Sequence, residues 1–205
     1  MSDPPGMLDD PRLESALISE ERLRTRVEEL ATEIATAYAD CDCLHMLSVL
    51  TGAFVFVSDL GRELRRAGGP PATYSFMKAR TYDDHLEAAV TTPDAVEVEL
   101  IPQDLAGRDV LIVEDILDQG LTLSRIQSIL LDEKGVRSVA VCVLLDKILE
   151  TPTAETVRRR NSLKIDFVGF RIPDLWVVGY GLDAGGEFRD LPCIAVLRKE
   201  HYRPA

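Results

Sequence analysis

Apolar residues recur along this chain either at helical spacing or in short unbroken runs, and the change from one to the other marks out its elements. Leu23, Val27, Leu30, Ile34 and Tyr38 follow one another at three- and four-residue steps, the spacing of one helix face. Ser19 with Glu20 and Glu21 supplies the start: an N-cap hydroxyl and two acids favourable to the helix dipole. That helix is predicted to end near Ala39. Met46 to Leu50 reads as a strand, and Phe54 to Arg66 as a helix closed by Gly68-Gly69-Pro70-Pro71. Thr73 to Lys78 reads as another strand, Arg80 to Pro93 as a mobile loop, polar and weakly patterned, and Val96 to Ile101 as an edge strand. Val110 to Val113 is a short all-apolar run, a buried strand, and Leu123 to Leu131 returns to helical spacing. Ser138 to Leu145 is almost entirely Val, Ala, Leu and Cys, again a buried strand. Beyond it, short strands are predicted at Phe167–Phe170, Trp176–Val178 and Ile194–Leu197, separated by turns.

Strands alternating with helices as far as Leu145 predict an α/β fold, a mostly parallel, doubly wound sheet. Residues 1–12, rich in Pro, Gly and Asp, read as a disordered leader, and residues 13–205 as a single domain. The N-terminal helix and the short C-terminal strands are expected to form a small hood over the carboxyl edge of the sheet, the edge at which such folds bind ligands.

Composition narrows the function classes. Lys and Arg number 23 against 35 Asp and Glu, a net charge of −12. So acidic a chain is a poor non-specific partner for nucleic acid, whose affinity comes from cationic contacts to phosphates. No apolar run approaches the length of a membrane span, and Met-Ser-Asp-Pro-Pro-Gly at the N-terminus has neither the basic nor the apolar part of a signal peptide, so a cytoplasmic setting is expected. Cys41, Cys43, Cys142 and Cys193 read as reduced thiols, because no second pair or histidine cluster completes a zinc site.

The candidate chemistry lies in Val110-Leu-Ile-Val-Glu-Asp-Ile-Leu-Asp-Gln-Gly-Leu-Thr-Leu123. A buried strand delivers Glu114 and Asp115, and Asp118-Gln119-Gly120-Leu121-Thr122 then turns into a helix. Free N–H groups at a helix N-terminus suit a phosphate. Paired carboxylates beside it can hold ribose hydroxyls and an oxygen-loving Mg²⁺. Together they describe a site for a phosphorylated sugar. Neither the nucleotide-hydrolase P-loop nor G-x-G-x-x-G is present. The bland alternative is an ordinary strand-to-helix turn, with Asp118 as helix cap and Glu114 and Asp115 as solvated charges.

At these residues the chain resembles the phosphoribosyltransferases, whose signature reads Val-Leu-Ile-Val-Glu-Asp-Ile-x-Asp-x-Gly-x-Thr. The hypoxanthine-guanine branch is singled out by Asp166-Phe-Val-Gly-Phe170, Ile172-Pro-Asp174, Trp176-Val-Val-Gly-Tyr-Gly-Leu-Asp183 and Phe188-Arg-Asp-Leu191. Met46-Leu-Ser-Val-Leu-Thr-Gly-Ala-Phe54 is similar to the family's first loop after its first core strand. The resemblance spans about residues 20 to 200. It implies transfer of a phosphoribosyl group from phosphoribosyl pyrophosphate to a 6-oxopurine, hypoxanthine or guanine, in purine salvage. It further implies Mg²⁺ as cofactor and a homodimer or homotetramer.

By that resemblance Glu114 and Asp115 hold the ribose hydroxyls and, with Asp183, ligate Mg²⁺. Asp118 is the general base near purine N7, while backbone groups from Asp118 through Gln119, Gly120 and Leu121 to Thr122, with the Thr122 hydroxyl, bind the 5′-phosphate. Thr51, Gly52 and Arg189 face pyrophosphate. Lys147 donates to the purine 6-oxo group, Trp176 stacks on the base, Val177 meets its edge through backbone groups, Asp183 completes the purine side, and Tyr82 belongs to the lid. Two departures stand out. Leu50-Thr51-Gly52 lacks the lysine that the family usually places before this glycine, and two acids, Asp83 and Asp84, follow Tyr82. These leave open xanthine or a modified purine as the accepted base. A further alternative is a regulator that senses phosphoribosyl pyrophosphate, which needs a basic nucleic-acid surface that this composition does not supply.

Overall fold

The three central strands of the main sheet are apolar on both faces, so the sheet needs cover on both. Along β2 (Leu44–Leu50) in the computed structural model, which describes residues 8–81 and 96–201, Leu44 and Met46 enter one core and Leu47 and Val49 the other. The same alternation runs through β5 (Asp109–Leu117) and β6 (Ser138–Ile148), the two-residue period of a strand. The first face is closed by α1 (Glu20–Ala37) and α2 (Phe54–Arg66) through Leu23, Leu30, Ile34, Phe56, Leu60 and Leu64. The second is closed by α3 (Leu121–Ser128) through Leu123 and Ile126. Each Leu or Phe buried in this way contributes about 1.5–3 kcal/mol.

The remaining strands complete two sheets. With β3 (Ala72–Thr81), β4 (Val96–Glu99) and β7 (Phe167–Pro173), the main sheet has the order β4-β3-β2-β5-β6-β7. All its neighbours are parallel except β3 and β4. A second, antiparallel sheet has the order β1-β9-β8, built from β1 (Leu13–Ile18), β8 (Val177–Val178) and β9 (Ile194–Leu197). The α/β architecture read from the sequence is the one observed.

Four elements differ from expectation. The small sheet takes its N-terminal part from strand β1, not from a helix; α1 packs instead on the main sheet and α2. β7 extends the main sheet beside β6 and takes no part in the small one. A helix, α4 (Ala154–Ser162), lies between them where only turns are predicted. Finally, β5 does not stop at Val113 but carries Glu114 and Asp115 within it.

Of the expected leader, residues 1–7 lie outside the described residues, but Asp10 and Arg12 are tied to the small sheet. Arg12 donates to Asp10 and pairs with Glu187, and Arg198 N–H donates to the Arg12 carbonyl at 2.8 Å. The predicted loop from Arg80 to Pro93 begins inside β3 and otherwise lies outside the described residues, as does Tyr82.

Candidate active site

The carboxyl ends of β2, β5 and β6 gather most of the candidate residues at one edge of the sheet. Glu114 sits opposite Val143 in the β5–β6 ladder and is 8 % exposed, and its Oε2 has no hydrogen-bond partner among the described residues. Burial, and then the neighbouring Asp115 charge, push its carboxyl well above the usual glutamate value. Asp115 is raised to about 6, also chiefly by burial. The Ile116 N–H, 2.8 Å from Oδ1, and the charge of Arg189 work against that rise, while Asp183 adds to it. A buried acid with an unpartnered oxygen beside a half-buried acid of raised pKa marks a candidate functional site.

Asp115 is met from the β2 side by the first loop. A Cβ on Gly52 would fall 1.5 Å from Asp115 Oδ2, so any larger residue would displace the carboxylate. The Gly52 carbonyl in turn faces Gly181, where a Cβ would come within 2.1 Å of it and φ is +104°. Only glycine tolerates both demands. Arg189 closes this corner: it donates to the Gly181 carbonyl at 2.7 Å and pairs with Asp183 at 2.7 Å. Asp183 also accepts from the Gly186 N–H at 2.7 Å. The partner of Arg189 is therefore Asp183. Thr51 is exposed at the mouth of this loop.

A second corner forms where β5 and β6 end. Lys147 Nζ lies 3.0 Å from Asp118 Oδ2 and 3.7 Å from Asp174 Oδ1. The Lys147 side chain is 13 % exposed and that of Asp118 47 %, so a shielded cation is presented to a carboxylate that still reaches solvent. Asp118 does not cap α3. The cap position belongs to Gly120 with φ 78°, and a Cβ there would also press on Leu163 at 2.8 Å. Gln119 is exposed, and Leu121 and Thr122 occupy the first turn of α3, whose N–H groups have no acceptor within the helix. A cavity of about 330 Å³ opens alongside, with Asp118, Gln119, Thr151, Arg159 and Asp174 in its wall.

The sequence reading passed over two residues that contact this loop. Arg159 Nη1 donates to the Gln119 carbonyl at 3.3 Å, and Arg160 donates to the carbonyls of Leu117, at 3.2 Å, and Asp118. Both sit on α4, whose signals are local: Thr153 accepts from the Thr156 N–H at 3.1 Å as an N-cap, and Glu155 lies in the first turn. The buried positions of that helix are Thr156 and Arg159, so hydrophobic spacing could not reveal it.

Val177 is buried in the main core, while Trp176 is half-buried against the core of the small sheet, with Val178, Ala195 and Leu197. The Trp176 carbonyl accepts from the Leu197 N–H at 2.9 Å, and Asp174, just ahead of it, links this strand to Lys147. Among the described residues no group of three or more His, Cys, Asp or Glu is arranged to hold a metal ion alone. No helix among them is long and apolar enough to cross a membrane.

A mostly parallel sheet with a carboxylate pair and a phosphate-type turn at its carboxyl edge defines a class, and known proteins give that class a name. Residues 17–184 match the family model described as the phosphoribosyl transferase domain, so the chain belongs to the phosphoribosyltransferases. Its relatives lie in the hypoxanthine-guanine branch. Hypoxanthine phosphoribosyltransferase of Salmonella typhimurium is 37 % identical over 179 residues, covering 87 % of this chain and 92 % of the relative. The hypoxanthine-guanine enzyme of Bacillus subtilis is 36 % identical over 190 residues, covering 93 % and 96 %. In structure, a variant of the Trypanosoma cruzi hypoxanthine phosphoribosyltransferase, complexed with the product IMP, superposes with a TM-score of 0.78 at 33 % identity, covering 93 % of each chain.

Proposed function

We propose that the protein transfers the 5-phosphoribosyl group of phosphoribosyl pyrophosphate to a 6-oxopurine, hypoxanthine or guanine, releasing pyrophosphate and the nucleoside 5′-monophosphate. The observation that carries this reading is the pair of acids at the sheet edge, Glu114 buried and Asp115 half-buried, immediately before a helix N-terminus. A diol and a phosphate on one small molecule answer both features.

In the reaction the bond from ribose C1′ to pyrophosphate oxygen breaks and a bond from C1′ to a purine ring nitrogen forms. Positive charge spreads over the ribose ring as the leaving group departs. Glu114 and Asp115 accept the ribose hydroxyls and fix the ring, which converts an encounter into an oriented attack. The N–H groups from Asp118 to Thr122, with the Thr122 hydroxyl, hold the 5′-phosphate. Asp118 accepts the purine proton near N7. Lys147 donates to the 6-oxo oxygen, Trp176 lies over the base, and Val177 meets its edge through backbone groups. Arg189, with Thr51 and Gly52, takes the leaving pyrophosphate.

Mg²⁺ fits the residues present, although no three-ligand cluster exists among those described. This ion is ordinarily held by one or two carboxylates together with substrate phosphates. The unpartnered Oε2 of Glu114 and the raised Asp115 carboxyl offer such a partial shell, with Asp183 across the cleft. When bound with the substrate, the ion neutralises the charge of pyrophosphate. A cytoplasmic homo-oligomer completes the reading.

The test is a panel of free bases, hypoxanthine, guanine, xanthine and adenine, each assayed for pyrophosphate release with phosphoribosyl pyrophosphate and Mg²⁺. Turnover of the first two above the others is expected. Turnover confined to xanthine would move the substrate, and none with any base would overturn the reading.

A further inference from the structure

The Asp118 loop is held in place by a helix that carries none of the residues assigned so far. On α4, Arg160 directs its two terminal nitrogens to different strands. Nη1 donates to the carbonyls of Leu117, the last residue of β5, at 3.2 Å, and of Asp118, the first residue after it. Nη2 donates to the Asp146 carboxylate and, at 3.0 Å, to the Lys147 carbonyl, both at the end of β6. The β5–β6 ladder ends in register with Leu117 opposite Asp146. The guanidinium thus stands where the next rung would be, and the side chains at that rung are Asp118 and Lys147.

The same bonds orient the phosphate turn. In a trans peptide the N–H points away from the C=O of the same plane. With the carbonyls of Leu117 and Asp118 drawn to Arg160, and that of Gln119 to Arg159 at 3.3 Å, the N–H groups of Asp118, Gln119 and Gly120 turn away from α4. Two cations also lie behind this turn in a chain of net charge −12. Each is itself ion-paired, Arg160 with Asp146 and Arg159 with Glu155, so they act on the turn through these hydrogen bonds more than through a net field.

We infer that Arg160 is a positioning residue: it aligns Asp118 with Lys147 and turns the loop N–H groups outward to the 5′-phosphate. The inference rests on the phosphoribosyl transfer proposed above. Lysine cannot replace it, because one ammonium cannot reproduce a planar fork with two separately aimed nitrogens. Arg159, paired with Glu155 at 2.9 Å, supports the third carbonyl.

The experiment compares wild type, Arg160→Met, Arg160→Lys and Asp146→Asn with Arg158→Met, an exposed neighbour on the same helix. The readouts are kcat and KM for phosphoribosyl pyrophosphate, taken well below each variant's Tm, and the Kd for inorganic phosphate by calorimetry. For Arg160→Met a fall in kcat and a rise in KM of about tenfold or more each are expected, the cost of ångström-scale misplacement. The phosphate Kd should weaken in parallel. Arg160→Lys should rescue the Tm but not kcat, Asp146→Asn should show the same changes more mildly, and Arg158→Met should match wild type. A folded Arg160→Met or Arg160→Lys with kcat, KM and phosphate Kd within about twofold of wild type would overturn the inference. So would an Asp146→Asn with unchanged kinetics if neither arginine variant folds. An inactive wild type would instead strike at the transferase reading. The phosphate Kd of the same variants would then still decide for or against the role of Arg160 in the turn.

Discussion

Lys147 reaches across from the end of β6 to Asp118 on the loop after β5, with Nζ 3.0 Å from Oδ2. The two residues assigned to the proton near N7 and to the 6-oxo oxygen, which are neighbours on one edge of the base, therefore form one ion pair. A base seated at this corner inserts its acidic N–H and its carbonyl between partners that already satisfy each other, so both charges stay matched as it arrives. Their contributions to the proposed reaction should be coupled, as expected of residues in direct contact.

Replacing Asp118 with Asn keeps shape and removes the proton acceptor. A fall in kcat of about 10²-fold or more is expected, with KM for phosphoribosyl pyrophosphate changed less. Steady-state kinetics on the variant check it, and a kcat near that of wild type would free Asp118 from the role of base.

On the proposed reading, Lys147 should set the preference for 6-oxo over 6-amino purines. An ammonium has three donors and no acceptor, so it complements O6 and opposes the N6 amine of adenine. Lys147→Met should lose most activity with hypoxanthine and narrow the margin over adenine. The double variant with Asp118→Asn should cost less than the sum of the single losses. Strict additivity would mean that the pair seen in the structure does not act as one.

Gly52→Ala places a methyl group where the Asp115 carboxylate now lies, 1.5 Å from Oδ2. The expected result is a rise in KM for phosphoribosyl pyrophosphate on the order of 10- to 100-fold. An unchanged KM would show that Asp115 can move without loss.

Phosphoribosyl pyrophosphate should stabilise the fold by mass action, by about 2.7 kcal/mol at a hundredfold excess over Kd, read as a rise in Tm. In EDTA the shift should fall by at least half, because the acids that hold the ribose also share the ion. Equal shifts with and without metal would remove Glu114, Asp115 and Asp183 from that shell.

Asp109 makes a prediction about stability away from the site. The Arg137 guanidinium, with the Ser138 hydroxyl and the Cys41 thiol, holds its carboxyl well below the usual aspartate value against the opposing effect of burial. A depressed folded value means that the unfolded chain binds the proton first as pH falls. The stabilisation is therefore full above about pH 4 and is lost on acidification below it. Asp109→Asn should cost about 2 kcal/mol at pH 7, in the range of a hydrogen-bonded charge. It should also flatten the acid limb of a Tm-against-pH curve. A parallel displacement of the whole curve would contradict the assignment.

The sequence by itself determined the layers and the site's address. The unbroken apolar runs of Val110–Val113 and Ser138–Leu145, the short strand pattern of Met46–Leu50 and the helical spacing from Leu23 to Tyr38 are local consequences of which faces are buried. They fix the α/β class without reference to any partner. The acid pair and the turn after it were legible for the same reason, since strand end, loop and helix start are contiguous. Only the tertiary structure decided what depends on residues far apart in the chain. β1 was illegible because irregular pairing with β9 breaks its alternation and its partner lies at the other end of the sequence. α4 was illegible because it buries Thr156 and Arg159 in place of an apolar stripe. Which residue Lys147 and Arg189 each choose, and that Arg160 ties two strand ends together, follows from distances set by sheet order. Periodicity measures burial along one segment; an ion pair or a bifurcated guanidinium measures the distance between two, and that distance exists only once the sheet has formed.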